Sequence, residues 1–253
     1  MILPSETHDW RNRCIRLDQV DSTNAHLINM LKSEDVLEGT SVVTDFQLDG
    51  RGQRGKGWSA QQGKSLCFSI VLYPDFIAPN GQFTLNMMIS VALLKALKTY
   101  VEDLSIKWPN DIYYGEQKLA GILIQNIIAA EKIDNSVVGI GVNVNETSFP
   151  DDLPNPVSLN NILDVDLEIE QVHQRIVAEI QILYDHLKMV DFQLIQNFYL
   201  DHLFGLNVER EYVVGEIKHI GSIAGISAQG KLQVFMGQDI KEFQFGDIEY
   251  VFE

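Results

Sequence analysis

The sequence GRGQRGKGW, residues 50–58, contains four glycines, three cationic side chains and one tryptophan. It nearly matches the P-loop pattern G-x-x-x-x-G-K-[ST], but Gly57 stands at the hydroxyl position. A P-loop joins a strand to a helix, whereas both flanks here, 41–47 and 65–73, have the apolar pattern of strands. The sequence therefore predicts a strand-to-strand loop rather than a P-loop.

This loop has the composition of an anion-binding segment. Glycines lack side chains, so backbone N–H groups can converge on an anion. Arg51, Arg54 and Lys56 add charged donors suited to phosphate or carboxylate. A solvated hairpin is the alternative, and Trp58 suits packing as well as binding.

The charge of the chain disfavours nucleic acid as a partner. Its 253 residues include 19 Lys and Arg against 35 Asp and Glu, which gives a net charge of −16, and no basic run exceeds two residues. Cys14 and Cys67 lack metal-ligand spacing and are expected to be reduced thiols. We find no secretory signal and no apolar stretch of the roughly 18 residues that a membrane span needs. A cytoplasmic location is therefore expected, with no membrane or nucleic-acid partner.

Hydrophobic periodicity predicts an α+β protein with a change of texture near its C-terminus. Asp21 or Ser22 is a good N-cap for a short helix. Helical spacing recurs in 82–101, 168–188 and 191–203, and strands are predicted at 105–108, 112–114, 119–128 and 136–144. After Gly205, short strands separated by glycines predict a small antiparallel barrel. We therefore expect two domains, 1–205 and 206–253.

Three further segments carry candidate chemistry. In KWPND (107–111), Lys107 follows a buried-looking strand and is expected to point into a polar cleft, although a lysine reaching water from a strand end is the alternative. In GIGVNVN (139–145), the glycines indicate close approach by backbone or ligand, and Asn143 either faces a site or caps structure. DSTN (21–24) could clasp a urea or amide group, or simply cap a helix.

The order of these motifs resembles the biotin–protein ligase family. DSTN is followed by Q-x-x-GRGxRGxxW, by KWPND with KLAGIL, and by GIGVNVN, while GISAQGKL and GDIEY resemble the family's C-terminal signature. The similarity runs from about Asp21 to the end of the chain. It implies a central mixed or antiparallel sheet flanked by helices, similar to class II synthetases, and an SH3-like C-terminal barrel.

The resemblance implies a two-step reaction. The biotin carboxylate attacks the α-phosphate of MgATP and gives biotinyl-5′-AMP, after which a lysine of a biotin carboxyl carrier protein displaces AMP. Mg²⁺ is expected to arrive with ATP rather than on protein ligands. A lipoate or octanoate ligase or transferase of related fold is the alternative, although the chain lacks the R-R-x-S-G-G-G segment of those enzymes.

Site residues follow by position from the family's motifs. Lys107 and Arg51 are the predicted catalytic residues, and Lys118 of KLAGIL has a less defined role. The predicted biotin-binding residues are Ser22, Thr23, Asn24, Gln47, Gly50, Arg51, Lys107, Gly121 and Gly139. The predicted adenylate-binding residues are Arg51, Arg54, Lys56, Trp58, Asn110 and Asn143.

Two features depart from the commonest family pattern. Gln53 stands where the loop usually has an arginine that helps retain the adenylate, so Arg54 or Lys56 is expected to compensate. DSTN begins only 21 residues into the sequence, which leads us to expect a ligase without the N-terminal DNA-binding domain of bifunctional members.

A homodimer paired through an exposed edge strand such as 136–144 is a further expectation.

Overall fold

A computed structural model describes residues 9–189 and 192–252, and its centre is a seven-stranded mixed sheet. The strand order is β1-β2-β3-β7-β6-β5-β4, with β1 and β2 parallel and every other neighbouring pair antiparallel. The strands are β1 Cys14–Val20, β2 Ser41–Gln47, β3 Ser65–Leu72, β4 Leu104–Lys107, β5 Asp111–Tyr114, β6 Gln117–Ala129 and β7 Lys132–Asn143.

Within the two described ranges, five α-helices accompany this sheet. They are α1 Thr23–Ser33, α2 Phe83–Leu97, α3 Leu159–Leu163, α4 Ile169–Met189 and α5 Gln193–Asp201. The two faces of the sheet are covered differently: α2 and α4 pack with Phe68, Ile140 and other side chains of one face. Leu27 of α1 packs on the opposite face against Val42 and two neighbouring valines. The second face is therefore covered by a helix only in part.

A second, five-stranded antiparallel sheet follows, in the order β11-β10-β9-β8-β12. Its strands are β8 Glu209–Val214, β9 Ile217–Ile226, β10 Leu232–Met236, β11 Asp239–Phe243 and β12 Glu249–Tyr250. This sheet fits the predicted SH3-like barrel, and the α+β fold class is confirmed. The exact domain boundary at 205/206 stays a prediction.

Several element predictions need correction. Strand β1 was not predicted. It lies at the edge of the sheet, so few of its side chains are buried, and its apolar and polar residues alternate only weakly. The helix predicted over 82–101 ends at Leu97, where the Thr99 hydroxyl donates to the Ala96 carbonyl (2.7 Å). Strand β4 ends at Lys107 rather than at residue 108.

The prediction that 136–144 is an exposed edge strand is wrong. Strand β7, which contains this segment, is bonded to β3 on one side and to β6 on the other. The backbone N–H and C=O groups of β7 form hydrogen bonds with β3 and β6, so β7 has no free edge that could pair with a second copy of the chain. A homodimer built through this strand is excluded.

Candidate active site

Small and polar side chains line the sheet face that α1 covers only in part. On β3, alternate residues Ser65, Cys67 and Ser69 point to this face, while the intervening leucine and phenylalanine enter the core under α2 and α4. On β7 the corresponding positions are Asn143, Gly141 and Gly139, each directly opposite its β3 partner. Side chains this small leave room above the sheet, so the row forms the floor of a recess.

A cross-strand row connects this floor to the predicted catalytic lysine. Cys67 lies opposite Gly141, Gly141 opposite Gly121, Gly121 opposite Asp111, and Asp111 opposite Lys107. Directly opposed residues project from the same face of a sheet. Lys107 therefore stands on the same face as the floor, three strand spacings or about 14 Å from Gly141.

A neutral polar cluster borders the floor where α1 begins. The Gln47 side-chain oxygen accepts from the Thr23 amide (2.9 Å) and hydroxyl (3.2 Å). The Ser69 hydroxyl lies 2.7 Å from the Thr23 hydroxyl and 2.5 Å from Asn24 Oδ1, and Asn24 donates to Gln125 (2.8 Å). These groups offer donors and acceptors without charge.

The start of α1 places this cluster. The Ser22 hydroxyl accepts from the Ala25 amide as the N-cap, which confirms the predicted helix start. A Cβ on Gly139 would lie 2.4 Å from Asn24 Oδ1, so a larger residue there would force the Asn24 side chain to move. Glycine at this position therefore lets Asn24 lie directly on β7.

The glycine-rich loop is a closed hairpin between β2 and β3, as the sequence predicts. The Trp58 amide donates to the Gly50 carbonyl (2.8 Å), and the Gly52 amide to the Lys56 carbonyl (2.6 Å). The Trp58 ring lies on the floor, where a Cβ on Gly141 would come within 2.3 Å of it. Residues 50–58 thus cover the centre of the recess.

The cations of this loop do not converge on one point. Arg51 is exposed and pairs with Asp49 (2.8 Å). Arg54 has a left-handed backbone and turns toward the C-terminal sheet, where it donates to the Phe245 carbonyl and stacks on its ring. The expected compensation for Gln53 by Arg54 therefore has no support in this conformation, and Lys56 is exposed.

Lys107 is half-buried among aromatic rings. Its Nζ lies 4.5 Å from the ring centre of Tyr250, with two further rings within 6 Å. Burial lowers its pKa below the usual value, and the nearby Asp111 carboxylate opposes that change. The lysine therefore does not reach bulk water freely from the strand end, in contrast to the alternative considered from the sequence.

The remaining predicted residues hold the floor together. Lys118 pairs with Asp111 (2.8 Å) beside Gly121. The Asn143 amide group donates to the Val157 carbonyl (3.0 Å), and that of Asn110 to the Ile122 carbonyl. These bonds fix loops and strands around the recess, while the adenylate-binding roles of both asparagines stay predictions.

Sequence reasoning missed Ser69 and Gln125. Ser69 carried a usable signal, since Ser65, Cys67 and Ser69 alternate with large apolar residues in SLCFSIVL. The sequence signal for Gln125 was weaker, because β6 is partly exposed on both faces and its residues show no clear alternation of polar and apolar character. Cys67 also faces the recess, but burial raises the pKa of its thiol to about 12. It is therefore a neutral packing group rather than a nucleophile.

Residues 9–189 and 192–252 contain neither a metal-binding cluster nor a membrane-crossing helix. No group of three or more His, Cys, Asp or Glu side chains there is placed to hold a metal ion. No helix in the same ranges has the length and apolar character to cross a membrane. The cytoplasmic location stays a prediction.

The neutral polar cluster and the half-buried Lys107 lie on the same face of the sheet, with the glycine floor between them. This arrangement suits the class of proteins that bind a small molecule with a polar head and an anionic end. Comparison with known families places the chain within that class. The model of the biotin/lipoate A/B protein ligase family matches residues 17–143, half of the chain. The chain belongs to this family.

Individual relatives agree with this assignment. The chain is 28% identical over 235 residues to the bifunctional ligase/repressor BirA of Bacillus spizizenii, which covers 91% of this chain and 72% of that protein. It is 24% identical over 248 residues to the biotin–[acetyl-CoA-carboxylase] ligase of Mycobacterium tuberculosis, covering 96% and 90%. The biotin protein ligase from Aquifex aeolicus in complex with biotin and ATP superposes with a TM-score of 0.79 at 28% identity, covering 94% of this chain and 99% of that one.

Proposed function

We propose that this protein is a biotin–protein ligase, which activates biotin with ATP and transfers it to a lysine of a carrier protein. One observation carries the proposal within the family. The uncharged cluster around Thr23, Gln47 and Ser69 and the ammonium group of Lys107 stand on one face of one sheet, joined by a floor of glycines. A ligand with a neutral polar head and a carboxylate tail matches the two ends of this arrangement, with the Trp58 ring lying between them over Gly141.

The polar cluster suits the ureido ring of biotin. A urea presents one carbonyl acceptor and two N–H donors, and it needs partners of both kinds when it is buried. Ser22, Thr23, Asn24 and Gln47 supply hydroxyl and amide groups at the start of α1, and Ser69 joins them from β3. The glycine at 139 lets Asn24 lie close to the sheet, where its side chain can face the ring system.

Activation brings two anions together. A carboxylate oxygen of biotin forms a bond to the α-phosphorus of ATP, and the bond from that phosphorus to the bridging oxygen breaks, releasing pyrophosphate. Fixed positive charge aimed at the reacting groups lowers this barrier. Lys107 is the main candidate. Arg51 is a second, since an exposed ion pair such as the one with Asp49 is worth little in water and yields readily to phosphate.

The adenine half of ATP is assigned to the loop side of the recess. Trp58 offers an aromatic surface over Gly141. Lys56 is the loop cation left to offer charge near the phosphates, since Arg54 is held by Phe245. Mg²⁺ is assigned to the substrate as MgATP, because phosphate oxygens are ligands that it prefers. In the second step, the ε-amine of the acceptor lysine attacks the carbonyl carbon of biotinyl-5′-AMP, and AMP leaves.

The family also includes lipoate ligases, and the polar cluster argues against that specificity. A dithiolane ring or an alkyl chain cannot pair with Thr23, Asn24, Gln47 and Ser69. A urea can exchange hydrogen bonds with these groups, whereas lipoate or octanoate would leave them paired only with one another. A site that hydrogen-bonds its substrate discriminates against an analogue that lacks the matching groups. Biotin is therefore the preferred substrate.

The ATP–pyrophosphate exchange assay tests this function. Exchange should require biotin, and neither lipoate nor octanoate should replace it. Lys107→Ala should lose roughly 10²–10³-fold in exchange rate, as removal of one oxyanion-type donor does. Lys241→Ala, an exposed lysine of the C-terminal sheet, is the matched control and should exchange like wild type.

Exchange that proceeds equally without biotin, or a Lys107→Ala variant as active as the control, would contradict the proposal. The acceptor is tested separately by mass spectrometry of a biotin carboxyl carrier domain after incubation with enzyme, biotin and MgATP. The expected product is one biotin on one lysine.

A further inference from the structure

The ammonium group of Lys107 is surrounded by aromatic rings from both parts of the chain. Its Nζ lies 4.5 Å from the ring centre of Tyr250, 5.3 Å from that of Tyr113 and 5.8 Å from that of Phe252. Tyr113 belongs to the large sheet, whereas the nearest ring, Tyr250, belongs to β12 of the C-terminal sheet. A residue far along the chain thus makes the closest aromatic contact with the lysine.

The lysine is held without a carboxylate. Asp111, its neighbour across β4 and β5, pairs instead with Lys118. Over residues 9–189 and 192–252, Lys107 forms no ion pair. An aromatic face attracts a cation through its quadrupole but carries no net charge, so the positive charge of Lys107 is held in place and is not cancelled.

Tyr250 is itself firmly placed. It pairs with Tyr212 on β8, and the Val251 amide donates to the Glu211 carbonyl (3.1 Å). Its ring stacks on Phe252 with planes 9° apart and meets Tyr212 edge-on at 5.3 Å. The ring that faces Lys107 is therefore fixed by its own neighbours.

We propose that Tyr250 is a positioning residue for Lys107: the C-terminal sheet supplies a ring that orients the ammonium group toward an incoming anion while leaving its charge available. The assignment rests on the proposed ligase function, in which Lys107 faces the biotin carboxylate and the α-phosphate. It gives the C-terminal sheet a direct part in the activation step.

The charges around the lysine fit this role. Burial lowers the pKa of Lys107, as the surrounding rings require. The carboxylates of Asp111 and Glu249 favour the charged form, whereas Lys118 and Lys56 oppose it. A cation–π contact also favours the charged form, so Tyr250 helps to keep the ammonium protonated in a half-buried place.

A pair of variants separates the ring face from the rest of the side chain. Tyr250→Phe keeps the aromatic face and should exchange pyrophosphate within about twofold of wild type, whereas Tyr250→Leu should lose roughly 2- to 30-fold in kcat, the range of cation–π contacts. The KM for biotin should change less than kcat in Tyr250→Leu, because the polar cluster that binds the head group is untouched and Lys107 acts mainly in the activation step. Wild-type kcat in Tyr250→Leu, or an equal loss in both variants, would overturn the proposal.

A second measurement does not depend on activity. Reductive methylation with ¹³C-formaldehyde keeps the charge of each lysine, and the Lys107 methyl signal is assigned by its loss in Lys107→Arg. Ring currents should shift this signal upfield in wild type and in Tyr250→Phe, but much less in Tyr250→Leu. If Tyr250→Leu does not fold, Tyr250→Met takes its place. An unshifted Lys107 signal in wild type would overturn the proposal, whereas absence of biotin-dependent exchange in wild type would instead count against the ligase function.

Discussion

At the scale of single residues, two glycines of β7 determine what the recess can hold. A Cβ on Gly139 would lie 2.4 Å from Asn24 Oδ1, and one on Gly141 would lie 2.3 Å from the Trp58 ring. Neither has a positive φ, so the requirement comes from space and not from backbone conformation. The polar cluster and the loop are both built on the absence of these side chains.

Gly139→Ala should therefore weaken biotin binding. The new methyl group pushes Asn24 away from Ser69 and Gln125, and overpacking of this kind costs about 1–3 kcal/mol. We expect the KM for biotin to rise by about tenfold or more, with a smaller change in kcat. Steady-state pyrophosphate exchange measures both constants.

Gly81→Ala is the matched control for this substitution. Its added Cβ meets only a methyl group of Ile77 at 3.6 Å, which is ordinary van der Waals contact. The control should keep the wild-type KM. A Gly139→Ala variant that also keeps it would show that biotin does not depend on the Asn24 position.

Candidate site residues could be predicted from the sequence where a residue differs in character from its sequence neighbours. Lys107, a lysine between two apolar residues, and the glycines at 139 and 141, which interrupt an apolar strand, are such cases. Ser69 was missed because one hydroxyl in a buried strand is usually a satisfied core group. The bonds of Asn110 and Asn143 to backbone carbonyls depend on loops that come together only in the folded chain.

At the scale of elements, the loop 50–58 combines a predictable path with an unpredictable orientation. Its hairpin closure follows from the flanking strands and glycines, but the direction of Arg54 depends on Phe245, 191 residues away. The sequence predicted that Arg54 or Lys56 replaces the charge absent at Gln53. With Arg54 on the C-terminal sheet, that replacement falls to the exposed Lys56 alone.

Gln53→Arg should therefore slow the escape of biotinyl-5′-AMP. Gln53 is half-buried in the turn of the loop and supplies no charge, whereas an arginine there adds a phosphate-binding group. The measurement is the release rate of radiolabelled biotinyl-AMP from enzyme in the absence of carrier. Gln53→Asn adds no charge and serves as control. Equal release from wild type and Gln53→Arg would contradict the expectation.

Helix α4 brings a buried histidine under the sheet and makes stability depend on pH. His173 is 1% exposed, with Nε2 3.4 Å from the Ser41 hydroxyl and its ring edge-on to Phe68. Burial, assisted by Arg16, lowers the pKa of His173 from 6.5 to about 4. The folded protein keeps the ring neutral while the unfolded chain takes up a proton below 6.5, so stability falls as pH decreases from 6.5 toward 4.

The loss should amount to about 1.4 kcal/mol between pH 7.5 and 5.5, since each pH unit below 6.5 costs about 1.4 kcal/mol until the folded pKa is reached. Urea unfolding of wild type and His173→Gln at both pH values measures it, because other titrating groups cancel in the comparison. The wild type should lose about 1.4 kcal/mol more than the variant over this interval. Parallel losses would refute the assignment.

At the scale of the whole molecule, the C-terminal part of the chain contacts two of the four segments that the sequence marks for chemistry, the 50–58 loop and KWPND. The Tyr250 ring contacts Lys107, and the Phe245 carbonyl accepts a hydrogen bond from Arg54. The Gly230 carbonyl accepts a hydrogen bond from Trp108. The sequence predicted a separate small barrel but not this docking, because contacts between distant segments leave no periodic pattern. The two sheets therefore depend on each other through residues of the candidate site.

The bond between Trp108 and Gly230 measures that dependence. Trp108 Nε1 donates to the Gly230 carbonyl at 2.9 Å in a buried position. Trp108→Phe keeps an aromatic ring but leaves that carbonyl unpaired, which should lower the free energy of unfolding by about 1–3 kcal/mol. Tyr212→Phe is the control, since the buried Tyr212 hydroxyl has no hydrogen-bond partner within residues 9–189 and 192–252, and its removal should cost about 0.5 kcal/mol or less. Urea unfolding followed by circular dichroism compares the two. Equal stability of both variants would mean that this hydrogen bond does not help to hold the C-terminal sheet against KWPND. The contacts of Lys107 with Tyr250 and Phe252 would then remain as candidates for that role.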